Sequence, residues 1–579
     1  MSADLPLPDL RLPDLRAVAQ QWLEAEPDAD MRTEIAALLA GDTDADVNSL
    51  ALRFTGRLQF GTAGLRAAIG AGPMRMNRLV VRQAAAGLVE YVLRTDPSAA
   101  ERGVIIGYDA RHKSDAFALD TARVCAARGV RAMIFSSVVP TPVLAWNITR
   151  PGAAAGVPGA AAGVPGAAAG VPGAAAGVPG AAAGVPGAAA GVMVTASHNP
   201  PADNGYKVYL HSGAQIVPPA DVDISALIDT FDPCTVELAP ADHPLIEWLG
   251  DDALQAYLDD VPAARLMPHL PGVPVAYTAM HGVGGATLLA AFERSGLPAP
   301  VVVAEQQQPD ATFPTVAFPN PEEPGAMDLL LALARSSGAA IALANDPDAD
   351  RLGAAIPTPD GGWRRLGGDE IGWLLADHIL RHTSGDDRLV VTTLVSSSLL
   401  ARMAAAHGVH FAETFTGFKW IGHTVLEHPE LRLVLGYEQA LGYLVRTRPL
   451  DKDGITAAVL LAEVAAAAAA DGVTLQQRLD TIGATFGRHV MGEHSVHMAP
   501  ADGAAAVAHL LANPPEMVGD RLVSAVSWYA EAGLLRLQLG DDLRVQVRPS
   551  GTEPKVKLYG EGIDLDPAPY LQHLALLLG

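Results

Sequence analysis

Ser197 stands in the run Thr195-Ala-Ser-His-Asn-Pro200, directly after the apolar residues Val192-Met-Val194. An apolar strand ending at a serine puts the hydroxyl at the carboxyl edge of an open sheet, where α/β folds hold ligands, so Ser197 is a candidate phosphoryl-carrying nucleophile. The same letters also read as a helix N-cap, with Pro200 in a first helical turn. A second segment, Asp346-Pro-Asp348-Ala-Asp350-Arg351, follows the apolar stretch Ala339 to Ala344. Its alternating aspartates put three carboxylates on one side of an extended loop, a hard-oxygen cage suited to Mg²⁺, and Arg351 is placed to neutralise a phosphoryl oxygen. A solvated acidic loop and a calcium site compete with this reading. EF-hand spacing is absent, because Pro357 stands at the twelfth position where a glutamate would be needed. In a third segment, Arg548-Pro-Ser550-Gly551-Thr552-Glu-Pro554, a guanidinium fork, two hydroxyls and a glycine form a phosphate cradle; a plain tight turn is the alternative. No Walker loop or kinase signature is present, so ATP is not the obvious donor. Serine, hard cation and phosphate grip together describe phosphoryl transfer through a transiently phosphorylated protein.

The elements needed to hold these segments follow an α/β pattern. Val104-Ile-Ile106 reads as a strand, Ser114 as the cap of a helix reaching Arg128, and Val130 to Phe135 as the next strand. The unit recurs at Val273 to Tyr277 with a helix from Ala286 to Arg294, and again at Leu389 to Leu394 with a helix through His407. Such βαβ-like units imply α/β domains with parallel or mixed sheets. Near the C-terminus, Leu534 to Leu539 and Leu543 to Val547 alternate with period two around Gly540-Asp-Asp542, a hairpin of an α+β domain.

The whole chain has 579 residues and a net charge of −24, with no Lys/Arg cluster, which argues against a nucleic-acid partner. Two cysteines, Cys125 and Cys234, make no disulfide framework and suit a reducing cytosol. The acidic, Pro- and Asp-rich first thirty residues do not read as a signal or transit peptide. Mean hydropathy is +0.21, yet the most apolar stretch, Ala457 to Ala470, contains Glu463 and is too short to span a bilayer. It is expected to be a buried helix, and the protein soluble and cytoplasmic with no membrane partner.

Between residues 151 and 192 the heptad Pro-Gly-Ala-Ala-Ala-Gly-Val is repeated six times without substitution. Pro-Gly favours type II turns, and a proline in every second turn would break a helix, so the tract is expected to be a flexible, turn-rich insertion without chemistry. Lengthening a connection from one heptad to six costs only about 1.6 kcal/mol of closure entropy. Beside Ser197, a loop of 42 residues has the reach either to wander over the cleft or to point away from it.

Taken together, the motifs resemble the α-D-phosphohexomutase superfamily. Thr195 to Pro200 is similar to its phosphoserine loop, Asp346 to Arg351 to its metal loop, and Arg548 to Pro554 to its phosphate loop. Gly61-Thr-Ala-Gly-Leu-Arg66, Gly107-Tyr-Asp-Ala-Arg111 and Thr416-Gly-Phe-Lys-Trp-Ile421 resemble further family blocks. The resemblance implies three related α/β domains with mixed sheets and a C-terminal α+β domain around a central cleft, and the run of elements along the chain places their boundaries at 1–240, 241–358, 359–476 and 477–579. It implies a catalytic set of Ser197, Lys207, Lys419, His198 and Arg351, and metal ligation by Ser197, Asp346, Asp348 and Asp350. Substrate contacts would come from Arg66, Glu438, Arg548, Ser550, Gly551 and Thr552. The implied cofactors are Mg²⁺ and a bisphosphosugar primer, glucose 1,6-bisphosphate; the partner is a small phosphosugar, and the protein a monomer or dimer.

The sugar-facing loop Gly436-Tyr-Glu-Gln-Ala-Leu-Gly-Tyr443 departs from the Gly-Glu-Met-Ser-Gly-His of bacterial bifunctional phosphomannomutases, with Ala440 in place of the serine. This loop and His281 in Met-His-Gly-Val-Gly look like the branch of type-2 phosphoglucomutases and phosphopentomutases. The expected reaction is interconversion of glucose 1-phosphate and glucose 6-phosphate. Pentose or mannose phosphates, a phosphoserine-type phosphatase and a repeat scaffold are the alternatives.

Overall fold

The computed structural model describes residues 12–61, 64–150, 187–550 and 555–578. The expectation of a flexible tract over 151–186, and the candidate residues Gly551 and Thr552, lie outside the described residues. The chain forms two compact units. Unit 1 comprises Met1–Ala263, Pro274–Leu352 and Thr447–Val459, and unit 2 comprises Ala264–Val273, Gly353–Arg446 and Leu460–Gly579.

Unit 1 contains a six-stranded sheet built from β1 (Leu65–Ala68), β2 (Val104–Tyr108), β3 (Ala132–Phe135), β4 (Ala190–Val194), β5 (Asp203–Leu210) and β6 (Ile246–Leu249), in the order β1-β5-β4-β2-β3-β6. Strands β4, β2, β3 and β6 run parallel, and β5 and β1 join antiparallel, so the sheet is mixed. The central strands β2, β3 and β4 are covered on both faces, which is why Val-Ile-Ile, Ala-Met-Ile-Phe and Val-Met-Val read as unbroken apolar runs. The helix Ser114–Ala127 connects β2 to β3 as expected, but Ser114 is not its cap. Lys113 holds that position, and the Ser114 hydroxyl donates instead to Asp109 Oδ1 at 2.7 Å. A parallel trio follows, β7 (Val275–Thr278), β8 (Val301–Val302) and β9 (Ile341–Asn345), in which β7 lies between the other two.

The repeat is not wholly an insertion. Its sixth copy enters the sheet: Ala190-Gly-Val192 forms the first part of β4, and Ala188, Ala190 and Val192 are fully buried. The described residues stop at Arg150 and resume at Gly187, where Ala188 N donates to Ile148 O at 2.9 Å. The tract therefore opens at the amino end of β4, while Ser197 lies past its carboxyl end. A five-residue strand separates the two by about 16 Å.

Unit 2 holds an antiparallel hairpin, β10 (Leu352–Pro357) and β11 (Trp363–Arg365), and a sheet of β12 (Arg388–Thr393), β13 (His410–Thr414), β14 (Arg432–Glu438) and β15 (Gly442–Leu444). Strands β13 and β14 flank β12 in parallel, and β15 closes the sheet antiparallel to β14. The last part of the chain differs, as the period-two pattern predicts. β16 (His489–His497), the short ladder β17 (Met517–Val518) and β18 (Arg521–Leu522), then β19 (Ala525–Tyr529), β20 (Leu534–Gln538), β21 (Leu543–Pro549) and β22 (Lys555–Ile563) pair antiparallel, the five longer strands in the order β16-β22-β21-β20-β19. The alanine-rich segment is the helix Gly454–Ala470, and its Glu463 is buried against Arg265 Nε at 2.9 Å. No single helix among the described residues is long and apolar enough to cross a membrane.

Candidate functional site

Ser197 follows β4 in a tight turn rather than opening a helix, so the N-cap reading is corrected: no helix lies between Ser197 and β5. Its φ of 51° is left-handed, a backbone state costing a non-glycine residue of order 1–3 kcal/mol unless its surroundings hold it. Arg111 does so. One arm of its fork donates to Ser197 O at 2.6 Å and Asn199 O at 2.5 Å, the other to Pro200 O at 2.8 Å and Asp203 O at 3.1 Å. Ser197 N donates to Thr195 Oγ1 at 2.8 Å, and Thr195 Oγ1 donates to Asp109 Oδ2 at 2.6 Å. The Gly107 to Arg111 block thus clamps the backbone of the serine loop.

The aspartates follow β9 and fold into a turn rather than an extended loop, with Ala349 at φ 57° and its N donating to Asp346 O at 2.9 Å. All three carboxylates are fully buried, and one ligand atom from each lies within 4.8 Å of the others. Ser197 Oγ donates to Asp346 Oδ2 at 2.7 Å, so serine and metal loops meet inside unit 1 as expected. Lys207, on β5, donates to Asp348 Oδ2 at 2.6 Å and Asp350 Oδ2 at 2.8 Å. Thr141 Oγ1 donates to Asp348 Oδ2 at 2.6 Å. These bonds use one oxygen of each carboxylate. Asp348 Oδ1 and Asp350 Oδ1 are left buried without a hydrogen-bond partner. Hard oxygens, three negative charges and two unpaired acceptors at one point fit a divalent cation such as Mg²⁺.

The aspartate turn is gripped from behind by Met280-His-Gly-Val283. Val283 N donates to Pro347 O at 2.8 Å, and a Cβ on Gly282 would sit 2.4 Å from Pro347 Cα, so only glycine admits the approach. The His281 ring is turned aside, with Nε2 2.8 Å from Thr315 Oγ1.

Burial and the carboxylates of Asp348 and Asp350 push Asp346 well above the usual carboxylate range. Burial acts the same way on Asp348, but Lys207 outweighs it and holds that group below its ordinary value. Lys207 itself is lowered by burial, yet Asp348 and Asp350 more than compensate and raise it. His198 lies with Nδ1 3.4 Å from Ser197 Oγ. Burial, then Arg351 and Arg66, drive its proton affinity well below that of free imidazole, so the ring is neutral.

Arg351 pairs loosely with Glu322 at 3.5 Å, and Arg66 Nη1 donates to Asn199 Oδ1 at 3.0 Å beside the serine turn. The remaining candidates belong to unit 2. Lys419 lies in the first turn of the helix Phe418–Glu427 with Nζ 5.7 Å from the centre of the Trp420 ring. Glu438 ends β14 and is buried. Arg548 lies near the end of β21, and Ser550 N donates to Lys555 O at 2.8 Å just beyond it.

Sequence reasoning missed Arg111 and Asp109 as loop clamps, Thr141 as a partner of Asp348, and Lys452, whose Nζ lies 3.3 Å from Asp350 Oδ2. The Gly107 to Arg111 block was a visible signal; for Thr141 and Lys452 no local pattern pointed to the site.

With this geometry in place, the comparisons with known proteins agree. Models of the alpha/beta/alpha domains I, II and III of phosphoglucomutase/phosphomannomutase match residues 57–233, 255–361 and 367–486. A "Probable phosphomannomutase" of Haemophilus influenzae is 38% identical over 85% of this chain and 94% of its own. The phosphopentomutase of Homo sapiens is 33% identical over 81% of this chain and 74% of its own. A crystal structure of a phosphoglucomutase/phosphomannomutase family protein from Burkholderia thailandensis superposes with a TM-score of 0.67 over 90% of this chain and 96% of its own, at 20% identity, a likeness of fold. The chain belongs to the phosphoglucomutase/phosphomannomutase family within the α-D-phosphohexomutase superfamily, whose members are phosphotransferring isomerases.

Proposed function

We propose that this protein is a phosphosugar mutase that interconverts glucose 1-phosphate and glucose 6-phosphate through a phosphorylated Ser197. One observation carries the reading: a hydroxyl held at a strained turn, 2.7 Å from one of three buried carboxylates of which two keep an oxygen unpaired. The identity to mutases supports the same chemistry, and the sugar is the step that goes beyond it.

In this reading Ser197 carries the phosphoryl group at rest. Arg548, Ser550, Gly551 and Thr552 grip the phosphate already on the substrate, and Glu438, Lys419 and Arg66 face the sugar. The free sugar hydroxyl attacks phosphorus as the bond to Ser197 Oγ breaks, and the hydroxyl proton replaces the phosphoryl group on the serine. The bisphosphosugar turns end for end and returns its other phosphate to Ser197. Glucose 1,6-bisphosphate would prime an unphosphorylated chain.

Asp346, Asp348, Asp350 and Ser197 would hold Mg²⁺, which offsets charge on the transferring group. A phosphoserine adds about −1.5 to −2 to the three aspartates, so the cations Lys207 and Arg351 are needed at the same point. Lys207 fixes the carboxylates, and His198, being neutral, is a hydrogen-bond partner of Ser197 rather than a standing charge. Positioning and electrostatics carry most of the acceleration in such transfers.

A substrate panel tests the reading, using purified protein, Mg²⁺ and a trace of glucose 1,6-bisphosphate. Glucose 1-phosphate is expected to give glucose 6-phosphate without net release of phosphate. Faster turnover of ribose 1-phosphate would assign the enzyme to pentoses, and free phosphate as the main product would make it a phosphatase.

A further inference from the structure

Asp451-Lys-Asp-Gly454 returns to unit 1 immediately before the helix Gly454–Ala470, and each of its residues has a separate task there. Asp453 accepts from Ile455 N and Thr456 N, both at 3.0 Å, and so caps that helix, while the Tyr257 hydroxyl donates to it at 3.0 Å. Gly454 packs against the metal turn: a Cβ there would lie 2.3 Å from Arg351 O and 2.6 Å from Asn345 Nδ2. That approach brings Lys452 Nζ to 3.3 Å from Asp350 Oδ2. Behind the lysine, Asp451 Oδ1 lies 3.3 Å from the same Nζ, and Asp451 Oδ2 accepts from Tyr209 Oη at 2.8 Å and Gln215 Nε2 at 2.7 Å.

Tyr209 lies two residues beyond Lys207 on β5, so both side chains leave the same face of that strand. Lys207 and Lys452 therefore approach Asp350 from two separate chain segments, and both take the same oxygen, Oδ2. The other oxygen, Oδ1, is buried and has no partner. Two cations on one edge of a carboxylate fix its rotation and present the opposite edge.

We propose that Lys452, braced by Asp451 and Tyr209, is a positioning residue that turns Asp350 so that its free oxygen faces the divalent cation. The proposal rests on reading the three aspartates as the metal site. It concerns the hold of Lys452 on Asp350. Its effect is on the geometry of a ligand, and partners of this kind change metal affinity by about 10–100-fold when removed.

The test uses Mn²⁺ as the probe, titrated into the full-length protein and followed by electron paramagnetic resonance of the free ion, with no substrate present. The double variant Asp451→Asn with Lys452→Met removes the cation without leaving a buried charge unpaired, which keeps the fold intact. Its Mn²⁺ dissociation constant is expected to rise about tenfold. Tyr209→Phe, a milder change that loosens only the brace, is expected to raise it about threefold, within the range of a lost hydrogen bond. A merely structural role would lower the melting temperature of the metal-free variants and leave the dissociation constant unchanged. Unchanged or tighter Mn²⁺ binding in the double variant would overturn the proposal. Failure of the wild-type protein to bind Mn²⁺ would overturn the metal reading beneath it, so the two failures are distinguishable.

Discussion

Ser197 Oγ and Asp346 Oδ2 are 2.7 Å apart although they follow strands of different sheets, β4 and β9. The contact makes the serine hydroxyl a neighbour of the carboxylate cluster before any substrate is present. Ser197→Ala should therefore remove both the covalent phosphate, seen by intact-mass spectrometry of protein incubated with glucose 1,6-bisphosphate, and mutase turnover, which falls to background. Stability should fall by about 1–3 kcal/mol, because the buried Asp346 Oδ2 loses its donor. Phosphate retained on the alanine variant would place the modification elsewhere.

Lys207 is the cation shared by Asp348 and Asp350. Lys207→Met leaves two buried carboxylates without it, and breaking a buried pair costs about 3–5 kcal/mol. Saturating Mg²⁺ should restore part of that loss, because a ligand that binds only the native state stabilises it, by about 2.7 kcal/mol at a hundredfold excess over its dissociation constant. Melting curves with and without MgCl₂ should show a larger Mg²⁺-dependent rise in the variant than in the wild type. Equal rises would mean that Lys207 and the cation do not share the same carboxylates.

Asp369 in unit 2 supplies a pH signature. Burial pushes its carboxyl up to about 7, against the hydrogen bonds from Ser397 N at 2.8 Å and the Tyr437 hydroxyl at 3.0 Å. A carboxyl that holds its proton more tightly in the native state binds more protons there than in the unfolded chain. Stability must then fall as pH rises from about 4 to about 7 and level off above, with an upper limit of about 4 kcal/mol. Asp369→Asn should flatten that part of a urea-denaturation profile. An unchanged slope would show that another group sets it.

Five of the six heptads should be dispensable. Deleting residues 151–185 joins Arg150 to Pro186 and leaves Ile148 and Ala188 five positions apart, the separation of the longer hydrogen bond in a Schellman helix end. The 2.9 Å bond between them can then close a short connection, and stability should rise by up to about 1.6 kcal/mol of closure entropy. Thermal unfolding and turnover of the shortened chain measure this. A large loss of either would give the tract a role in the fold.

Much of the site was readable because its chemistry is local. Ser197 and the three aspartates are each followed or preceded by a buried apolar strand, and strand ends announce themselves by the change from apolar to polar letters. What escaped is long-range. Thr141 reaches Asp348 across 207 positions, and Lys452 reaches Asp350 from a segment with its own helix cap to make. Ser197 was equally good as an N-cap by letters alone, and only the grip of Arg111 on four carbonyls decides for the turn. Gly107 to Arg111 was recognisable as a block, yet its task is to hold backbone, which no composition reveals.

Strand β4 begins inside a sequence that occurs six times over, so during folding each copy competes to supply its Ala-Gly-Val. The competition resolves itself by what comes next. Only the last copy continues into Met193-Val194-Thr195; every earlier one continues into Pro-Gly, and proline in a central strand forfeits a ladder hydrogen bond. Threading errors are thus rejected by the first residue after the heptad, so the tract can change length by whole copies, seven residues at a time, while the alignment of β4 ahead of Ser197 stays the same.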